Sequence, residues 1–142
     1  TKRVPASIFK SFMSKVLKRS NCRFFLMTGN NIDEKKIMDE IIESEYKEYC
    51  TPLNNFTIKE ILPIIPNCQI AICNDSSFSH LSAGLGIKTI VLMVDTPLIY
   101  GSYNKNMYPV LPEGETNVTH DTLGKDKINP EEIYNNFKKL LG

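Results

Sequence analysis

The chain has 142 residues, of which 42% are hydrophobic, and 17 Lys and Arg residues stand against 16 Asp and Glu residues. This length accommodates one ordinary domain with a hydrophobic core, and the apolar fraction excludes a disordered or collagen-like chain. A formal net charge of +1 gives no general attraction to polyanions. Because the basic residues form no stripe beyond one predicted helix face, nucleic acid is not expected as a partner.

The cysteine pattern predicts a protein of a reducing compartment. The four cysteines form no C-x-x-C pair and lie in or beside apolar runs, which is typical of buried, reduced thiols. Because the chain has only two histidines, a His/Cys zinc site is not expected. No apolar run approaches the roughly 20 residues of a membrane-spanning helix. The cysteines are Cys22, Cys50, Cys68 and Cys73.

Predicted helices and strands alternate through the first half of the chain. Apolar residues recur at helical spacing after Pro5, and short apolar runs favour strands. Thr57 and Glu60 form a capping box, and Pro63 limits the helix that it opens. The predicted elements are a helix over residues 5–19, a strand over 22–28 buried on both faces, a helix over 33–45, a short strand over 49–52 and a brief helix from residue 57.

The second half continues the alternation. A small-residue helix is expected to end at Gly86, and Asn129 with Pro130 is typical of the start of a final helix. The predicted elements are a strand over residues 70–73, a polar segment over 74–80, a helix over 81–85, a strand over 89–94, a long loop over 95–127 with one short strand near 108–111, and a helix from 130.

This alternation predicts an α/β fold, a Rossmann-like parallel sheet with helices on both faces. A doubly wound sheet normally begins with a strand, whereas this chain begins with a helix. We therefore expect residues 1–142 to be a single domain from a longer chain, with its first strand encoded upstream or supplied by another chain.

Ligands of such sheets bind beyond the carboxyl ends of the strands. Residues 29–33, 74–80 and 95–101 are predicted to lie there. In the middle segment, the free N–H groups at the start of a helix suit a phosphate, and Ser76 and Ser77 add hydroxyls with little bulk. Asp75 would repel a phosphate, so we assign it to a sugar hydroxyl. The alternative is that these residues only cap the helix.

His80 has two possible roles in this segment. It either supports a ligand loop or satisfies the local backbone without contacting a ligand. A Ser-His hydrolase is disfavoured, because the chain lacks a G-x-S-x-G elbow. No neighbouring histidine or cysteine suggests a catalytic triad.

Taken in order, several segments resemble the C-terminal domain of the lipopolysaccharide heptosyltransferases, glycosyltransferase family 9. The resemblance covers essentially the whole chain, and its strength is in the order of the motifs rather than in any one of them. The segments are residues 2–5 (KRVP), Gly29 with Asp33, 56–60 (FTIKE), 75–80 (DSSFSH) with 81–86 (LSAGLG), 96–97 (TP), 105–106 (KN) and 128–133 (INPEEI).

The resemblance implies a donor site for a nucleotide sugar. Lys2 is expected at the diphosphate or sugar, Asp33 at the ribose and Phe56 at the base. Asp75 is expected at the donor sugar, the two serines give backbone N–H groups to the diphosphate, and His80 holds the loop. Each of the first three residues also has a simpler explanation: Lys2 as a free terminal charge, Asp33 as an acid at the start of a helix, and Phe56 as a packing residue. The implied donor-binding residues are Lys2, Asp33, Phe56, Asp75, Ser76, Ser77, His80 and Thr96.

The implied function is the donor-binding lobe of a two-lobed glycosyltransferase, which transfers heptose from an ADP-heptose-like donor to a lipopolysaccharide core or related acceptor. No cofactor or metal is expected. The family's catalytic base lies in the N-terminal lobe, so this lobe alone is expected to be inactive. A location in the cytoplasm or at the inner face of the cytoplasmic membrane is implied. Ser77 replaces a family glycine, which supports the alternative of a non-catalytic Rossmann-like interaction module with a degenerate pocket.

Overall fold

The computed structural model describes residues 3–122 and 124–141. Helices and strands alternate along the chain, with short 3-10 turns at Lys47–Tyr49, Ile65–Asn67 and Leu98–Gly101. The helices are α1 (Ala6–Leu17), α2 (Ile32–Ile42), α3 (Ile58–Ile61), α4 (Ser77–Gly84) and α5 (Pro130–Leu141). The strands are β1 (Phe24–Leu26), β2 (Cys50–Pro52), β3 (Ile70–Asn74), β4 (Lys88–Leu92) and β5 (Met107–Val110).

All strand pairs are parallel, as the alternation predicts. β1 pairs with β2, and β4 lies between β3 and β5 in a second hydrogen-bonded group. In the register, Ile72 lies opposite Ile90, and Ile90 lies opposite Tyr108. Because the strands in each group run parallel, their carboxyl ends lie at one edge of that group.

Helices cover both faces of β4. Ile90, Leu92 and Val94 pack into the main core with residues of α1, α2 and α5. Val91 and Met93 point to the opposite face, where they pack with Ala83 of α4. This alternation follows from the two-residue period of a strand. The predicted fold class, a Rossmann-like α/β domain, is therefore confirmed.

Two predictions of burial are wrong in detail. Phe25, in the middle of β1, is 42% exposed, so this strand is covered on one face rather than on both. The four cysteines are free, as predicted, but each residue as a whole is only partly buried, although burial is what raises the pKa of the Cys73 thiol. Phe25 is exposed because β1 and β2 form a small two-stranded group, which shields its outer face less than the three-stranded group shields β4.

Helix α4 begins four residues before the predicted start at residue 81. The buried Ser79 hydroxyl accepts a hydrogen bond from the Ser76 N–H at 3.3 Å and donates to the Ser76 carbonyl at 2.7 Å, which stabilises the first turn. The helix ends as predicted at Gly86, where φ is +87°. The Ile87 N–H donates to the Ser82 carbonyl, which completes a Schellman motif.

The boundaries of α3 and α5 agree closely with those predicted from the sequence. The capping box of Thr57 and Glu60 is present, and α3 ends before Pro63. Asn129 accepts from the Glu131 N–H at 2.9 Å and thereby caps α5. Within the described ranges, every helix is too short or too polar to cross a bilayer.

Candidate functional site

The loops after the first four strands carry the predicted donor-binding residues. Asp33 is exposed in the first turn of α2, and Phe56 is 48% exposed in the loop between β2 and α3. Asp75 and Ser76 lie between β3 and α4, and Thr96 follows β4. Lys2 lies outside the described residues. Parallel strands therefore bring most of these positions to the carboxyl ends of the strands.

The turn between β3 and α4 presents unpaired backbone donors. The N–H groups of Ser77 and Phe78 have no acceptor among residues 3–122 and 124–141. By contrast, the Ser76 N–H is occupied by the Ser79 hydroxyl. In this structure Ser77 and Phe78 therefore carry the available donors of the turn. The N-terminal end of the helix macrodipole adds positive potential here.

Asp75 and His80 face each other across this turn. The His80 Nε2 atom lies 3.7 Å from Asp75 Oδ1, and the side chain of Asp75 is only 11% exposed. On the other side of the ring, His80 Nδ1 lies 2.6 Å from the Tyr103 hydroxyl. The prediction did not include Tyr103, because its contact with His80 spans 23 residues and a loop.

A crevice of about 250 Å³ lies beside the turn. Phe56 lines it from the loop after β2, Ile58 from the start of α3, and Phe78 from α4. Gly29 and its neighbours close it from the loop after β1. Its walls combine aliphatic and polar side chains with the two rings of Phe56 and Phe78, on which a flat ring can stack, and the free N–H of Phe78 lies on the same residue that lines it.

Glu34 organises the loop after β1. One carboxylate oxygen accepts from the Gly29 N–H at 2.7 Å, and the other accepts from Arg3 Nε at 3.1 Å. The preceding segment is anchored as well, because the Val4 N–H donates to Asn74 Oδ1 at 3.2 Å. Sequence analysis missed Glu34, although its position three residues after the N-cap Asn31 is where acidic capping residues commonly occur.

Thr96 lies in the loop after β4, as predicted, but its side chain is buried. Its side chain is 6% exposed and that of its neighbour Asp95 is 5% exposed. Thr96 Oγ1 and Asp95 Oδ1 have no hydrogen-bond partner in the part of the chain that the structure describes. Thr96 is therefore placed behind the exposed edge rather than on it.

A larger depression of about 520 Å³ lies between the loop after β5 and the start of α5. Its walls carry four carboxylates, which would repel a diphosphate. This depression is therefore a poorer phosphate site than the smaller crevice. The carboxylates belong to Glu113, Glu115, Glu131 and Glu132.

Cys73 lies at the end of β3, two residues before Asp75, but its thiol is a poor nucleophile. Burial raises the pKa of the Cys73 thiol to about 12, and the neighbouring Ser82 hydroxyl only partly opposes this rise. The thiolate is therefore scarce at neutral pH. Within the described ranges, no group of three His, Cys, Asp or Glu side chains could hold a metal ion.

Comparison with known proteins identifies the family and agrees with the fold. The sequence model of glycosyltransferase family 9 (heptosyltransferase) matches residues 1–127, while no curated protein matches the chain significantly. The E. coli heptosyltransferase WaaC with ADP is similar in fold, with a TM-score of 0.79 and 17% identity over 98% of this chain and 40% of that chain. The E. coli ADP-heptose lps heptosyltransferase II is also similar in fold, with a TM-score of 0.78 and 18% identity over 99% of this chain and 42% of that chain.

At these identities the two solved structures establish the fold, and the chain spans 40% and 42% of their lengths. The family match covers residues 1–127, which is most of the chain. The resemblance that the ordered motifs predicted is thus confirmed. The chain belongs to glycosyltransferase family 9, the heptosyltransferase family.

Proposed function

We propose that this chain is the donor-binding lobe of a glycosyltransferase that uses an ADP-heptose-like nucleotide sugar. The observation that carries the proposal is the meeting of an aromatic crevice and free helix N–H groups at one edge of the parallel strands. A nucleoside diphosphate needs both features, a flat apolar wall for the base and donors for the phosphates.

The base is assigned to the crevice. Phe56 is half-exposed at its rim and Phe78 lies in its wall, so a purine can stack on an aromatic ring. The similar E. coli heptosyltransferase WaaC was solved with ADP, which supports adenine over other bases. Asp33, exposed at the start of α2, is assigned to the ribose hydroxyls.

The diphosphate is assigned to the start of α4. Ser77 and Phe78 offer N–H groups at the positive end of the helix macrodipole, and Lys2 adds a point charge in this proposal. Asp75 accepts from hydroxyls of the donor sugar, because a carboxylate would repel the phosphates. These groups stabilise the charge that develops on the leaving diphosphate when the glycosidic bond to it breaks.

The acceptor and its activation are assigned to the remainder of a longer protein. The two similar E. coli structures are more than twice as long as this chain. The catalytic base of this family is understood to lie in the N-terminal lobe, so we expect no transfer by residues 1–142 alone. A lipopolysaccharide core or related acceptor, and a position in the cytoplasm or at the inner face of the membrane, complete the proposal.

The alternative function is an interaction module with a degenerate pocket. Ser77 stands where the family motif has glycine, and its side chain is exposed at the start of α4. Since Ser77 belongs to a right-handed helix, its backbone requires no glycine. The alternative function therefore requires that the serine side chain block the phosphates sterically.

Titration of the intact protein with ADP, UDP and GDP sugars separates the two functions. The proposal predicts saturable binding with preference for the adenine nucleotide, and a loss of at least about tenfold in Asp75→Asn, because a hydrogen bond to a charged group is lost. Asp39→Asn, an exposed aspartate of α2 outside the crevice, is the matched control. Absence of saturable binding by every nucleotide sugar contradicts the proposal and favours the interaction module.

A further inference from the structure

Asp75, His80 and Tyr103 form a continuous chain of side chains across the site. His80 Nε2 is 3.7 Å from Asp75 Oδ1, and His80 Nδ1 is 2.6 Å from the Tyr103 hydroxyl. The two rings are stacked, with centroids 5.5 Å apart and planes 19° from parallel. Tyr103 belongs to the segment between β4 and β5, so it joins that segment to the start of α4.

The chemistry of the partners assigns the protons. A carboxylate can only accept, so the Nε2 atom that faces Asp75 favours the protonated state. In the neutral ring, Nδ1 then carries the lone pair and must accept from the Tyr103 O–H. The Asp75 carboxylate therefore favours the ring tautomer that turns an N–H toward it, and the Tyr103 hydroxyl, which can donate or accept, donates to Nδ1 and fixes the ring in that orientation.

We propose that Tyr103 is a positioning residue of the donor site, which holds Asp75 in place through His80. This inference rests on the proposed function, in which Asp75 contacts the donor sugar. Asp75 is almost fully buried, whereas Tyr103 is 59% exposed. Because so little of Tyr103 is buried, its hydroxyl contact rather than its contribution to the core gives it this role.

The first arm of the test is spectroscopic and needs no ligand. In the intact protein labelled with 15N-histidine, at about pH 8.5 where an ordinary imidazole is neutral, His80 is expected as the Nε2–H tautomer with a hydrogen-bonded Nδ1. Tyr103→Phe keeps the ring and removes the hydroxyl, so the Nδ1 resonance is expected to move toward the value of an unbonded nitrogen. His120, which is exposed, serves as the internal reference.

The second arm measures affinity for the nucleotide sugar. Tyr103→Phe is expected to weaken binding about threefold to tenfold, the effect of losing one neutral hydrogen bond. Tyr100→Phe is the matched control, because Tyr100 is 52% exposed and its hydroxyl has no partner among the described residues. It is expected to bind as the unaltered protein does.

Each outcome decides one claim. An unchanged Nδ1 resonance in Tyr103→Phe, or unchanged affinity in that variant, overturns the inference about Tyr103. If the unaltered protein binds no nucleotide sugar, the proposed function fails, and the 15N spectrum alone then decides whether Tyr103 orients His80. A shifted resonance together with weakened binding, both absent in Tyr100→Phe, supports the inference.

Discussion

At the residue scale, the site depends on contacts between side chains from different loops. The alternation of elements predicted Asp33 and Asp75 beyond the carboxyl ends of parallel strands, and Phe56 entered as a candidate only through the family resemblance. Neither could predict Glu34 with Arg3 or His80 with Tyr103. Such pairs depend on where loops meet in three dimensions, which no local pattern encodes.

Phe56 provides a test of the crevice. Phe56→Ala is expected to weaken binding of the adenine nucleotide about tenfold, since base–aromatic stacking contributes roughly 1–3 kcal/mol. Stability is expected to change little, because the ring is 48% exposed. Isothermal titration calorimetry measures the affinity. Phe25→Ala is the control, as Phe25 is 42% exposed and lies outside the crevice lining; equal losses in both variants would contradict the assignment.

Glu34 is expected to stabilise the loop after β1. Glu34→Ala removes the acceptor of the Gly29 N–H and the partner of Arg3, and we expect a loss of about 1–2 kcal/mol in the free energy of unfolding. Urea denaturation measures it. Glu40→Ala, at an exposed position of the same helix, is expected to have little effect, and an equal effect would show that the loop contacts contribute nothing.

Cys73 is expected to resist alkylation in the folded protein. Its thiol pKa of about 12 keeps it protonated at pH 8, and only the thiolate reacts. Because folding raises this pKa above the ordinary value, the neutral thiol favours the folded state below about pH 9, and this contribution declines as pH rises further. Mass spectrometry after iodoacetamide treatment should find Cys73 modified slowly unless urea is present; rapid labelling in native buffer would contradict its burial.

At the scale of elements, the start of α4 fixes the turn between β3 and α4, to which the diphosphate is assigned in the proposal. The sequence predicted the C-terminal end of this helix, because Gly86 is followed by an apolar strand and glycine favours the left-handed region. It misplaced the N-terminal end, because a segment rich in serine is also typical of a loop. Only the structure shows that the Ser79 hydroxyl stabilises the first turn.

Two glycines of this region should respond in opposite directions to alanine. At Gly86, φ is +87°, so Gly86→Ala is expected to lower the free energy of unfolding by about 1–2 kcal/mol. Gly84 lies inside α4, and an added Cβ would meet nothing within 4 Å. Gly84→Ala is therefore expected to raise the free energy of unfolding by up to about 1 kcal/mol. Denaturant titration measures the free energy of unfolding of both variants. Changes of the same sign would contradict these helix boundaries.

At the scale of the whole molecule, the sequence predicted the fold class. The alternation of elements, two capping motifs and the apolar run of β4 were sufficient, because each determines local structure independently of distant contacts. The burial of β1 and Thr96 was not predictable in this way, since it depends on how many strands and helices pack around each position.

Hydrogen–deuterium exchange of the intact protein with and without ADP tests the central claim most directly. We expect protection over residues 27–34, 54–58 and 75–80, the three loops that meet at the crevice and the start of α4, and none over residues 111–115 in the acidic depression. Protection confined to residues 111–115, or none in the three loops at saturating ADP, would contradict the account.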